Sequence, residues 1–282
     1  MTYIIAALDN SDQQHHVIDA AIWAASRRGD GIRFVHALEK PTDSKAELSG
    51  NIGLGTREHL QAQLVEMDAQ RSRMAYEHGL LLLKDAAQIA IDAGIEELDM
   101  QQRHDELLPT LLNYSKDASL FVMGRRGTKH SEKEAIGTHI ETVTRRVEQP
   151  VLLTTGEFTA PKAVMIAYDG RETALDLIRK IADGPILHGL DIHVVMIGDD
   201  KLANHEALDK AAQLLAHTGG KITPALVKSD DTLTAINQYI TDHDIGLLVM
   251  GAFANNSVRR LFLGSKTLKM IAASQVPLLI MR

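Results

Sequence analysis

Cysteine is absent from this chain of 282 residues. Its absence removes disulfides, thiolate catalysis and cysteine-ligated zinc or iron–sulfur sites together, and fits a cytoplasmic location. Basic residues are in deficit: 30 Lys and Arg stand against 37 Asp and Glu, a net charge of −7. Nucleic-acid binding usually needs a basic face, so no nucleic-acid partner is expected. There is no apolar run of the roughly 20 residues that a membrane span needs. The best stretch, 79–94, carries Lys84, Asp85 and Asp92, so no membrane partner is expected. The opening MTYIIAALDNSDQQ lacks the basic start and long apolar segment of a secretory signal.

Familiar catalytic signatures are missing as well. No G-x-S-x-G elbow occurs. Gly53-Leu54-Gly55 has Glu58 where a dinucleotide fingerprint needs its third glycine, and it follows no strand. Gly264-Ser265-Lys266-Thr267 is not the end of a P-loop, because Ser265 intervenes before the lysine and Arg259 takes the place of the first glycine. Of the 13 histidines, His15 and His16 are adjacent and diverge on a helix, and only His36 falls at a strand end near a candidate crevice. No catalytic residue and no metal ligand are assigned.

What is present is a globular composition, 45% hydrophobic and 24% charged, long enough for two ordinary domains. Short apolar runs alternate with helical stretches. Residues 3–8 read as a buried strand ending at Asp9-Asn10-Ser11-Asp12, a turn with helix-start residues. A helix around 17–24 closes at Gly29 and Gly31, and 32–38 form a second strand. Residues 40–56 read as a loop and 57–93 as helix, with Gly79 as a kink or break. A strand at 95–101, a helix at 106–116 and a strand at 120–123 follow, and Pro150 opens a short strand over 151–153. After a linker at 154–161 the pattern restarts with an apolar run ending in Asp169. Helices are expected at 174–182, 202–217, 233–241 and from Ser265, and strands at 193–197, 222–227, 247–250 and 277–281. Asp9 and Asp169 are 160 positions apart, whereas Gly124 and Gly251, and Gly137 and Gly264, are 127 apart. The 33 extra residues of the first half are placed in the 40–56 loop and the long helix. Such alternation folds as an open parallel sheet with helices on both faces, and ligands bind there beyond the strand C-terminal ends, where strand order reverses.

The segment 119–146 has the layout of a phosphate site: a strand ending at Met123, then Gly124-Arg125-Arg126-Gly127, a charged loop, and Gly137-Thr138 opening a helix. Glycine lets bare N–H groups approach an anion, and the helix N-terminus adds unpaired donors and the positive end of its dipole. Taken singly, Asp9 is an ordinary helix-start residue, Gly124 and Gly127 a tight turn, and Gly137-Thr138 a plain cap. Their joint spacing and near-repetition argue for more.

Gly124, two residues, Gly127, nine residues, then Gly137-Thr138 resembles the nucleotide loop of the universal stress protein A family. A similar stretch runs from Gly251 to Gly264-Ser265, with Ala254 in place of the second glycine. The resemblance covers nearly the whole chain as two tandem units, 1–155 and 161–282. It implies an α/β fold of two open-sheet, Rossmann-like (adenine nucleotide alpha hydrolase-like) domains, each with five mainly parallel strands in the order 3-2-1-4-5. It implies ATP as ligand, with magnesium or manganese as the accompanying metal, and a regulator with little or no turnover in stress survival. By resemblance, Asp9 lies on the adenosine side near Ala37, Gly124 and Gly127 approach ribose and phosphates, and Gly137 and Thr138 hold the phosphates. Arg125 and Arg126 add charge beside the triphosphate. Asp169, Gly251, Ala254, Gly264 and Ser265 are the corresponding second site, and the first is taken as the principal one. The halves are expected to pack as an intramolecular pseudo-dimer with 151–153 and 278–280 as pairing edges, and a further homodimer is left open. Two rivals stand: a slow ATPase or nucleotidyl-transfer enzyme, and an interaction module without nucleotide, for which Ala254 and the acids Glu132 and Glu134 speak.

Overall fold

The alternation of apolar and amphipathic stretches builds two successive sets of βα units. The computed structural model describes residues 2–11, 13–38, 54–125, 138–251 and 265–282, with the side chains of 54–61, 138 and 265–266 outside that description. In the first half run β1 (Tyr3–Leu8), α1 (Gln14–Arg28), β2 (Gly31–Ala37), α2 (Leu54–Asp92), β3 (Leu98–Arg103), α3 (Leu107–Tyr114), β4 (Ala118–Gly124), α4 (Thr138–Arg146) and β5 (Val151–Thr154). The second half repeats the series: β6 (Ala163–Ala167), α5 (Glu172–Asp183), β7 (Asp191–Ile197), α6 (Leu202–Leu215), β8 (Ile222–Val227), α7 (Thr232–Asp242), β9 (Leu247–Gly251), α8 (Ser265–Ala273) and β10 (Leu278–Met281). A short 3-10 turn at Pro185–Leu187 follows α5. Gly29 closes α1 with φ 70° and donates its N–H to Ala25 O at 2.8 Å, a left-handed cap that glycine adopts without steric cost.

All ten strands form one sheet, in the order β3-β2-β1-β4-β5-β10-β9-β6-β7-β8. Each half therefore has the expected 3-2-1-4-5 order. The pairings within each half are parallel. The central pairing is antiparallel, with Leu278 opposite Leu153, Leu279 opposite Leu152 and Ile280 opposite Val151. The two expected edges thus meet in a seam at the middle of the sheet. Alternate residues of each strand enter opposite cores: Ile4 and Ala6 belong to one apolar cluster and Ile5 to the other. Leu152 and Leu279 share the first cluster, Leu153 and Leu278 the second, so both cores run unbroken across the seam.

Three expectations change. The helix expected from 57 begins at Leu54 and runs 39 residues without a break, so 54–56 leave the expected loop; residues 39–53 lie outside the described residues. Gly79 is buried within it. A Cβ there would come within 2.5 Å of His36 Cδ2 and 2.6 Å of Gln102 Nε2, so the glycine serves a close approach of helix to sheet rather than a kink. The third strand lies at Leu98–Arg103 rather than 95–101, because its register with β2 begins at Ile32 opposite Leu98. Much of the extra length of the first half is in α2, whose counterpart α6 has 14 residues. Residues 62–78 of α2 are exposed on every face, so this part of the helix reaches beyond the sheet it covers.

Candidate functional site

The site is fixed first by strand neighbours. β1 pairs β2 on one side and β4 on the other, which is the reversal point of the first half. Ala6 stands opposite Val122, so Leu8 and Gly124, each two residues further on, end side by side. Leu8 stands opposite His36, which puts Ala37 at the same edge. Asp9, Ala37 and Gly124, 115 positions apart at the extremes, are thereby brought to one end of the sheet at the reversal point. α4 crosses between the parallel strands β4 and β5, so its N-terminus at Thr138 starts on this same edge. Arg126, Gly127 and Gly137 lie outside the described residues.

The second half repeats this geometry. Ile166 stands opposite Val249, the positions that correspond to Ala6 and Val122. Gly251 ends β9, and among the described residues nothing lies within 4 Å of the place a Cβ would occupy. Ser265 opens α8, while Ala254 and Gly264 lie outside the described residues. The antiparallel seam reverses strand direction between halves. The two reversal points therefore face opposite ends of the strands.

The aspartates are held in matching turns. Asp9 Oδ1 accepts from Ser11 N at 3.3 Å and from Ser11 Oγ at 2.5 Å, and Asp169 Oδ1 accepts from Arg171 N at 3.1 Å. Both are side-chain turns that start the following segment, the local role already expected of Asp9 alone. Tyr168, which precedes Asp169, is buried, and burial followed by the nearby charges of Asp169 and Glu172 raises its phenol above the usual range. His36, at the mouth of the first crevice, is bound at Nδ1 to Leu8 O at 2.9 Å and packs against Gly79.

Arg125, expected beside the triphosphate, has a side chain that is largely buried. Its Nη1 donates to the carbonyl oxygens of Ile271 at 3.1 Å, Ala272 at 3.3 Å and Ser274 at 2.6 Å, at the end of α8. The negative pole of that helix compensates the guanidinium charge. Its backbone N–H donates to Thr154 O at 2.8 Å. Sequence reasoning missed this role because the partners lie 146–149 positions away, and the only local signal was an arginine among glycines. Among the described residues no group of three or more His, Asp and Glu is placed to hold a metal ion, and no helix is long and apolar enough to cross a membrane.

The fold defines a tandem, open-sheet α/β protein whose two halves meet in an antiparallel seam. The model of the universal stress protein family matches residues 1–155 and 198–282, and the chain belongs to that family. It is similar to the universal stress protein Slr1230 of Synechocystis sp. (strain ATCC 27184 / PCC 6803 / Kazusa), at 29% identity over 291 residues with 100% of both chains covered. Its fold matches a universal stress protein structure from Archaeoglobus fulgidus DSM 4304 with a TM-score of 0.69 at 17% identity, over 99% of this chain and 98% of that one. A putative universal stress protein from Pseudomonas aeruginosa UCBPP-PA14 matches with a TM-score of 0.61 at 13% identity, over 100% of this chain and 93% of that one.

Proposed function

We propose that this chain is an ATP-binding stress-response regulator of the cytoplasm, with little or no turnover, built as domains 1–155 and 161–282. The first-half crevice is its principal site. The observation that carries this reading is the convergence of Asp9, Ala37 and Gly124 at the strand-order reversal, from which the spacing Gly124, Gly127, Gly137-Thr138 leads to the N-terminus of α4. The adenosine lies toward Asp9 and Ala37, and the phosphates toward Gly127, Gly137 and Thr138. With Arg125 engaged on α8, Arg126 is the loop arginine left to face phosphate. A divalent metal, magnesium or manganese, neutralises phosphate charge when bound. Asp169, Gly251, Ala254, Gly264 and Ser265 form a weaker second site, because Ala254 brings a methyl where the first loop has Gly127.

The test is nucleotide content followed by titration. Protein purified without added ligand is denatured, the released small molecules are identified, and ATP with magnesium is titrated by calorimetry. One ATP per chain is expected, with binding lost in Gly127→Val and retained in Ala254→Val. Two per chain would mean that Ala254 is tolerated. No binding by the folded wild-type chain would overturn the reading.

A further inference from the structure

We propose that Arg125 is a strut that links occupancy of the first-half crevice to α8 of the second half; the inference rests on the nucleotide-binding reading above. Arg125 follows Gly124, the strand end that forms one wall of that crevice. Its main chain is pinned to β5 through Thr154, and its guanidinium is buried on the carbonyls of Ile271, Ala272 and Ser274. The antiparallel seam explains the reach: it turns α8 so that its C-terminal end lies beside Arg125 while its N-terminus, Ser265, starts on the side of the C-terminal end of β9. Nine residues of helix form a rod about 13 Å long, stiff enough to carry a displacement from one end to the other. A ligand seated against Gly124 therefore also holds the end of α8 through Arg125. By reciprocity, the position of α8 sets affinity in the first crevice.

The linkage is built unequally. The position corresponding to Arg125 in the second half is Ala252, whose side chain has no donor. The return contact comes from another place in the repeat: Arg282, after β10, donates through Nη2 to Arg145 O at the end of α4. Each of the two ligand-end helices is thus held at its C-terminal carbonyls by an arginine of the other half. Arg125 is in this sense a positioning residue rather than a ligand contact.

The test is hydrogen exchange on the full chain, with and without saturating ATP and magnesium, for wild type, Arg125→Met and Arg125→Lys. The reporters are the amides of residues 272–276; that of Ser274 bonds Met270 O at 2.9 Å. In the wild type, ATP is expected to slow their exchange about fivefold or more. In both variants that difference should largely vanish, and ATP affinity should fall about five- to tenfold, because lysine keeps the charge but not the planar fork. A residue that merely caps α8 would lower the melting temperature when replaced, yet leave the ATP-dependent difference in place. Unchanged exchange at 272–276 in wild type that does bind ATP would overturn the strut and leave the nucleotide reading standing. Absence of ATP binding in the wild type would overturn both. If the Met variant does not fold, the wild-type comparison and the Lys variant decide.

Discussion

His193, on β7, shows how a single side chain ties stability to pH. Its Nδ1 lies 2.9 Å from the Tyr239 hydroxyl, and its ring stands edge-on to His243 at 5.4 Å. His243 in turn stacks on Tyr239 at 3.9 Å. Burial first, and then the charge of His243 and of Lys221, hold the imidazole below its ordinary value; Asp191 opposes them. The unfolded chain titrates this histidine near 6.5, the folded chain lower, so between those values the unfolded state binds more protons. Stability then rises with pH, and is lost as pH falls through 6.5 toward the folded value. The urea midpoint is therefore expected to drop between pH 7 and pH 5, and to drop less in His193→Gln, which keeps a partner for Tyr239. Equal slopes in the two proteins would refute the assignment. Asp30 and Asp99 bend the curve only at lower pH. Burial raises each, but hydrogen bonds to Ser119, Thr2 and Arg28, and to Gln101 and Arg33, outweigh it and hold both below the usual carboxylate range. None of the His193 cluster was legible in the sequence, because its members meet only when α7 packs on β7.

At the scale of the element, α2 is the informative case. Its helical composition was plain, and so was its length, but Gly79 was misread. A glycine in a helical stretch costs about 1 kcal/mol against alanine whatever its purpose, so sequence alone cannot separate a kink from a close approach. The structure decides for approach: α2 passes over the ends of β2 and β3, where the His36 ring and the Gln102 amide fill the space a methyl would need. Neither neighbour is free to yield without loss, since His36 bonds Leu8 O and Gln102 Nε2 donates to Tyr76 O at 3.1 Å. Gly79→Ala would gain about 1 kcal/mol of helix propensity but cost about 1–3 kcal/mol in overpacking and part of a hydrogen bond worth about 1 kcal/mol. The expected net is a destabilisation of about 1–2 kcal/mol, read as a lower denaturant midpoint with unchanged slope. A stabilised variant would mean that α2 is not seated on the sheet at this point.

For the whole molecule, what was legible was whatever repeats: the βα alternation, the aspartates after β1 and β6 with the strand-end glycines Gly124 and Gly251, and the two apolar edges that meet as β5 and β10. What was not legible depends on contacts across the repeat, such as Arg125 on α8 or Arg27, whose Nε donates to Ile186 O at 2.5 Å. The seam yields a further prediction. All four residues of β5 are buried against β10, so a chain of residues 1–160 would expose a bare, apolar sheet edge. The antiparallel pairing is self-complementary in form, so a second copy of β5 can replace β10 across a two-fold axis. The replacement is imperfect. Arg125 would then meet the end of a partner α4, whose last turn carries Arg145 and Arg146, whereas the last turn of α8 has no basic residue. Like charges there cost affinity and set the exchange well below the intact pairing. Residues 1–160 are thus expected to be dimeric at tens of micromolar and to dissociate on dilution, with Leu152→Lys abolishing the dimer by placing a charge in the seam. Light scattering on fractions from size exclusion reads the mass directly. A soluble wild-type fragment that stays monomeric at those concentrations would show that β5 does not drive the pairing, and that the two halves are held together by the helix-end arginines and the packing around them instead.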